Sequence, residues 1–317
     1  TQADAAHVGW HTRLGASDRI RPYRNGRDLL QQSRDAYAID LFGLSELEVR
    51  QKFPEIYQHL LVTVKPERNV NRRSSYRERW WLFGESRSEI RPALEGLHRY
   101  IATPVTAKYR MFTFIDGMIL ADDALVVVAC DDAVLLGILS SLVHTCWAAK
   151  VGGTLEDRSR YNRSKIFDPF PFPDPTSDQR TTIADLAEEL DATRKAALAE
   201  HPRLTMTGLY NLVEKLRAGA TLSAADEADA RDARARIVRH LHDQIDAAVA
   251  AAYGWPADLA PAEIVARLVA LNAERAAEEA AGHVRWLRPD YQIPRFAKDA
   301  AKRVAPAPAE PPIPAKS

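Results

Sequence analysis

The run Leu125-Val-Val-Val-Ala-Cys130, followed at once by Asp131-Asp-Ala-Val-Leu-Leu-Gly-Ile-Leu-Ser-Ser-Leu-Val-His-Thr-Cys-Trp-Ala-Ala-Lys150, decides the fold class. The Val-rich first part suits a strand. The almost wholly apolar second part is too long for one, so it reads as a largely buried helix stopped by Gly152-Gly153. Upstream, Tyr100 to Thr103 and Met111 to Ile115 are further β-rich runs, and Asp116-Gly117 is a hairpin-type dipeptide between Ile115 and Met118. Short strands beside a buried helix imply a small, mainly antiparallel sheet covered by helices.

Working outward from that centre, Ser45-Glu46-Leu47-Glu48 is a capping box, with Leu44 and Val49 spaced as its hydrophobic staple. Val49, Phe53, Ile56 and Leu60 then share a face, and Pro54 should kink or restart the helix. On the other side, residues 177 to about 282 are Ala-rich and charged with helical period, with starts at Ser177 and Ser223 and a stop at Gly254. Pro169, Pro171, Pro173 and Pro175 mark the change. The expected class is α+β: a mixed, mainly antiparallel β domain with helices over 1–176, an all-α region over 177–300, and a disordered Pro/Ala-rich tail over 301–317.

A chain of 317 residues has room for two such domains. Cys130 and Cys146 sit in apolar runs without C-x-x-C spacing, so neither a disulfide framework nor a zinc site is encoded, and a reducing, cytoplasmic compartment is expected. No signal peptide or run of 18 apolar residues is present. The first residues, Thr1-Gln2-Ala3-Asp4, lack an initiator Met, so the chain reads as the later part of a longer protein. The 43 basic and 43 acidic side chains cancel, but Lys65 to Arg110 carries eleven Lys/Arg against five Glu. That local excess attracts phosphate, although a composition with 33 Arg to 10 Lys would also produce it.

Several chemistries are excluded by search. None of the fourteen glycines forms a G-x-G, and no G-K-[S/T] occurs, which removes a nucleotide or S-adenosylmethionine loop of those types. The only Pro-Pro pair, Pro311-Pro312, lies in the tail; Asp168-Pro169-Phe170 lacks the second Pro of the tetrapeptide that amino-methyltransferases place against a flipped base. No [D/E]-x-K triplet is present. His240 and His242 stand two apart on a helix and point to different faces, so they read as solvated; His144, in the apolar helix, reads as a core histidine. No catalytic, cofactor-binding or metal-ligating residue is therefore assigned.

Two polar blocks remain. Val64 to Trp81 interleaves basic, amide and hydroxyl donors with aromatics, which suits a sugar–phosphate track, with Trp80 and Trp81 as core anchors at a sheet edge. Gly152 to Lys165 places Glu, Asp, Arg and Asn side by side, the side chains that read base edges; a solvated loop is the plain alternative. Arg72, Arg73, Tyr76, Arg77, Lys108, Arg110 and Lys165 are the expected phosphate contacts. Glu156, Asp157, Arg158, Arg160 and Asn162 are the expected base readers.

Five stretches carry a resemblance: Ile20-Arg-Pro-Tyr-Arg-Asn-Gly-Arg-Asp-Leu29, Tyr76-Arg-Glu-Arg-Trp-Trp-Leu-Phe-Gly-Glu85, Arg160-Tyr161-Asn162, Phe167-Asp-Pro-Phe-Pro-Phe-Pro173 and Ala252-Tyr-Gly-Trp255. In this order they resemble the C-terminal portion of the MmeI-like S-adenosylmethionine-dependent DNA methyltransferases of single-chain type II restriction–modification enzymes. The resemblance implies a target-recognition domain followed by a helical region, double-stranded DNA as partner, and adenine-N6 methylation by base flipping. It also implies a catalytic domain preceding Thr1, which would hold the cofactor and be the chain's second partner. The competing reading is a self-sufficient helical interaction module built on residues 177 to 282, without DNA binding.

Overall fold

The computed structural model describes residues 18–85, 87–155 and 158–297, with the side chains of Thr154, Leu155 and Arg158 left out. The expected tail over 301–317 lies outside the described residues. The class is α+β.

Among the described residues, three small sheets lie in the first half. Strand β1 (Ile20–Arg24) is followed by helix α1 (Gly26–Leu30), whose Asn25 cap and Asp28 close a capping box, and by β2 (Tyr37–Ile39). The Ser45–Glu48 box starts α2 (Glu46–Lys52), and Pro54 at N1 restarts the chain as α3 (Pro54–Thr63), as a residue without an N–H should. Helices α4 (Lys65–Asn69), α5 (Ser74–Glu78) and α6 (Ile90–Leu94) complete a helical lobe. Its own cluster buries Ile20, Leu41, Val49, Ile56, Leu60 and Trp80. The two tryptophans belong to this cluster, which also takes in Ile20 of β1 and Tyr37 and Ile39 of the edge strand β2. Trp80 is buried against Tyr57, and half-buried Trp81 donates its Nε1 hydrogen to the Leu44 carbonyl at 2.9 Å.

The three β-rich runs form the central sheet. Strand β3 (Arg99–Pro104) lies between β5 (Thr113–Asp116) and β7 (Leu125–Val128), both antiparallel to it. Between them come β4 (Thr106–Ala107) and β6 (Leu120–Ala121). Asp116-Gly117 makes a turn, with the Ile119 N–H reaching the Asp116 carbonyl at 3.0 Å. It does not make a hairpin: β5 pairs with β3, while β6 leaves to pair, in parallel, with β1.

The apolar run 131–150 is a broken helix. Helix α7 (Ala133–Ser140), buried at every residue, and α8 (Leu142–Val151) meet at a bend of 60°. Ser141 causes the break, because its hydroxyl caps the His144 N–H and its extended backbone cannot continue a helix. No single helix among the described residues is long and apolar enough to cross a membrane; only this bent pair reaches that length and composition together. After β8 (Gly153–Leu155), β9 (Arg158–Arg160) and a π-helical turn (Arg163–Phe167) come α9 (Ser177–Glu200), α10 (Met206–Arg217), α11 (Ala224–Asp232), α12 (Ala235–Ala252), α13 (Pro261–Ala280) and α14 (Pro289–Phe296).

The proline cluster does not divide the core. One continuous apolar cluster runs from Ile101 and Phe114 of the central sheet through Leu136 and Leu139 to Ile183, Leu190, Val238 and Leu268 of the helices. Gly137 permits this, since a Cβ there would lie 2.5 Å from Ile183 Cγ2, so α7 and α9 touch almost backbone to backbone. The change of composition between 176 and 177 does not interrupt this cluster, in which the helices pack apolar faces on the sheet and on α7. A buried polar chain joins the same elements. Arg194 donates to the Phe112 carbonyl at 2.7 Å, to Asp191 Oδ1 at 3.1 Å and to the Tyr210 hydroxyl at 2.8 Å, and Tyr210 donates to His242 Nε2 at 2.9 Å. His242 is therefore buried and not solvated as its sequence position suggests; His240 is exposed.

Candidate nucleic-acid interface

The sequence-derived contacts fall on two separate surfaces. Arg72, Arg73, Tyr76 and Arg77 belong to the helical lobe. Tyr76 packs over Gly84, where a Cβ would lie 2.0 Å from its ring, and carries the Arg68 guanidinium at 4.5 Å and that of Arg73 at 5.6 Å. Arg77 donates to the carbonyls of Asn71 at 2.5 Å and Arg72 at 3.1 Å, closing the approach to α5. Arg72, Arg73 and Arg77 are exposed. The ion pair of Arg73 with Glu85 at 3.2 Å joins side chains 66% and 79% exposed, so it holds Arg73 weakly.

The second surface surrounds a minimal sheet in which β9 pairs antiparallel with both β4 and β8. Thr106 faces Arg160 and Ala107 faces Ser159, so residues some fifty positions apart meet: Lys108 leaves β4 beside β9, and Arg160, Asn162 and Lys165 follow along the other strand. Glu156 and Asp157, between β8 and β9 in sequence, lie outside the described residues, and Arg158 is described only as backbone at the start of β9.

Alternation along an extended strand sorts the Arg160-Tyr161-Asn162 triplet. Tyr161 turns inward and is buried, while Arg160 and Asn162 are exposed. The Tyr161 hydroxyl donates to His144 Nε2 at 3.0 Å, which the tautomer requires because the His144 Nδ1–H donates to the Leu139 carbonyl at 2.9 Å. Phe112 meets both rings edge-on, and Phe170 closes on His144. Burial raises the Tyr161 hydroxyl above its ordinary range and pushes His144 down to about 3, so both are neutral at physiological pH. Below them Trp147 Nε1 donates to the Ile166 carbonyl at 2.9 Å, fixing the π-helical turn that ends the exposed segment. Asn162 caps that turn, its Oδ1 accepting from the Lys165 N–H at 3.2 Å and the Ser164 hydroxyl at 2.8 Å.

Lys108 and Arg110, like Arg77, are engaged within the protein. Lys108, although exposed, donates to Asn211 Oδ1 on α10 at 2.9 Å. Arg110 is turned inward, and its guanidinium is spent on Thr103, Pro104 and Ser159. Burial pushes it down to about 10, still cationic at neutral pH, but its geometry is not that of a surface phosphate contact.

A cleft of about 1320 Å³ separates the helical lobe from the sheets, a feature with no periodic signal in the sequence. Asp40 braces it, accepting from Arg91 at 2.6 and 2.9 Å and from Arg21 at 3.5 Å, and these guanidinium groups hold its carboxyl below the ordinary range. Its walls carry both signs of charge, and among the described residues no His/Cys/Asp/Glu group is placed to hold a metal ion.

Residues 10–174, slightly over half of the chain, match the family model described as MmeI, target recognition domain. Among solved structures, the chain is similar to the type IIL restriction–modification enzyme MmeI in complex with DNA, with a TM-score of 0.59 and 19% identity over 82% of this chain and 31% of that one. At this identity the likeness shows the fold, and the chain spans about a third of that enzyme's length. A search of curated proteins found no match.

Proposed function

The chain belongs to the MmeI target-recognition-domain family, and on that premise we propose that it is the part of a restriction–modification methyltransferase that reads a sequence in double-stranded DNA. The observation that carries the proposal is the anchored strand: Tyr161 is locked in the core by His144, so Arg160 and Asn162 are presented outward at a fixed height. Arg on guanine and Asn on adenine are the bidentate pairings of the major groove. Glu156, Asp157 and Arg158, just before them in sequence, complete the base-reading set. Arg72, Arg73, Tyr76 and Arg77 on the helical lobe, with Lys108 and Lys165 beside the strand, hold the sugar–phosphate backbone. Lys108 exchanges Asn211 for a phosphate at little cost, because that bond is exposed.

The activity served is methylation of adenine N6, carried out by a domain outside these residues that is also the chain's protein partner. S-adenosylmethionine would be bound in that domain: no G-x-G occurs among the fourteen glycines here. A cytoplasmic location accords with this role. The test is to incubate the full gene product with a randomised duplex pool and sequence the bound fraction. One enriched motif is expected, with affinity falling steeply as salt rises; enrichment of no motif would reject sequence reading.

A further inference from the structure

We infer that Arg110 is a positioning residue for base recognition, holding strand β9 from inside the protein and so setting where Arg160 and Asn162 point. The inference rests on the reading of Arg160 and Asn162 as base contacts and adds the element that aims them.

The sheet that presents these residues is too small to hold its own register. Strand β4 has two residues, and β8 and β9 have three each, so the ladder supplies few bonds. Arg110 supplies what is missing. Its Nη1 donates to Thr103 Oγ1 at 2.9 Å and to the Pro104 carbonyl, at the end of the rigid strand β3. Its Nη2 donates to the Ser159 carbonyl at 2.8 Å and to Ser159 Oγ at 3.0 Å, in the middle of β9. The same guanidinium lies 5.1 Å from the centroid of the Tyr161 ring. One planar group thus bolts β9 to the central sheet and lies alongside the aromatic anchor.

Ser159 is the residue before Arg160, and its carbonyl belongs to the peptide that joins the two. A rotation of that peptide turns the Arg160 side chain away from its direction. Ser159 Oγ in turn donates to the Ala107 carbonyl at 3.3 Å, so the clamp ties β9 to β4 as well as to the end of β3. The arrangement uses the fixed fork of guanidinium, which lysine, a point charge on a flexible stem, does not reproduce.

The experiment compares the wild-type gene product with Arg110→Lys, Ser159→Ala and Arg160→Ala in selection from a randomised duplex pool. Salt dependence on one fixed duplex and the melting temperature are recorded alongside. Arg160→Ala identifies the base pair concerned. Arg110→Lys is expected to lose about tenfold of the preference at that base pair with the salt slope unchanged. Ser159→Ala, which deletes one acceptor and leaves the guanidinium in place, is expected to lose less at the same base pair, and it decides the matter if Arg110→Lys fails to fold. Preference retained at every position in both variants would overturn the positioning role. So would a slope shallower by about one in Arg110→Lys with preference intact, since that is the signature of a phosphate contact. A wild type without any preferred motif would instead overturn the DNA-reading function itself, and the inference with it.

Discussion

Replacing Arg194 by Met tests the packing that unites the two halves of the chain. The guanidinium is fully buried and makes three hydrogen bonds, to the Asp191 carboxylate, the Tyr210 hydroxyl and the Phe112 carbonyl, while its Nε has no partner. Methionine fills most of the volume and removes all three bonds. Asp191, also buried, keeps Thr113 at 2.7 Å and Lys195 at 2.6 Å but loses its internal cation. Breaking a buried pair from one side costs about 3–5 kcal/mol. The orphaned Phe112 carbonyl pushes toward the upper end, and the relieved desolvation of Nε toward the lower. Urea denaturation at neutral pH is the assay. A loss in this range is expected, in one transition, because Phe112 and Thr113 belong to the sheet side and Asp191, Tyr210 and His242 to α9, α10 and α12. Adding Asp191→Leu should recover at least about 1 kcal/mol, since removing both partners is cheaper than stranding one. A loss under about 1 kcal/mol, or two separate transitions, would refute the reasoning.

Three further outcomes follow from the same geometry. Alanine at Arg72, Arg73, Arg77 or Lys165 should weaken binding equally on all duplexes and shallow the salt slope by about one each, and an unchanged slope across all four would return them to a solvated surface. Burial holds both His144 and His242 down to about 3, so the unfolded chain takes up protons that the native one refuses once the pH falls below about 6.5. Asp246, raised to about 6 by burial, opposes this between pH 6 and its ordinary value; the two histidines win. Stability should be roughly 2–3 kcal/mol lower at pH 5 than at pH 7, and equal or greater stability at pH 5 would contradict the neutral, buried assignment. Gly137→Ala places a methyl 2.5 Å from Ile183 Cγ2 and 3.2 Å from its carbonyl, so despite better helix propensity it should cost about 1–2 kcal/mol, read as a lower melting temperature.

Local signals were legible in the sequence, and tertiary ones were not. The Ser45–Glu48 box, the restart at Pro54 and the Ser223 cap each depend on residues within four positions of one another, and each forms as its spacing requires. The β-rich runs were legible as strands, but their partners were not, because pairing β6 with β1 is decided by packing and not by the Asp116-Gly117 turn. Charge composition placed Arg110 among phosphate contacts. No spacing motif distinguishes it from Arg72; what turns it inward is Thr103 and Pro104 at the end of β3 together with Ser159, which lies 49 positions away in sequence. His242 was misplaced for the same reason, since its partner Tyr210 lies on another helix. Tyr161 had a usable signal, an aromatic between two polar residues in an extended segment, and that alternation correctly separates the anchor from the presented side chains. The proline cluster marks a change of composition, yet the side chains on both sides fill one core.

The most direct measurement of the central claim is to exchange Glu156, Arg158 and Arg160 together for other polar residues in the full gene product and sequence which adenines become methylated on random DNA. If these residues read bases, the modified motif changes at one or two positions while methylation continues elsewhere at comparable rate. Methylation of the original motif, unchanged at every position, would show that sequence is read by some other part of the protein.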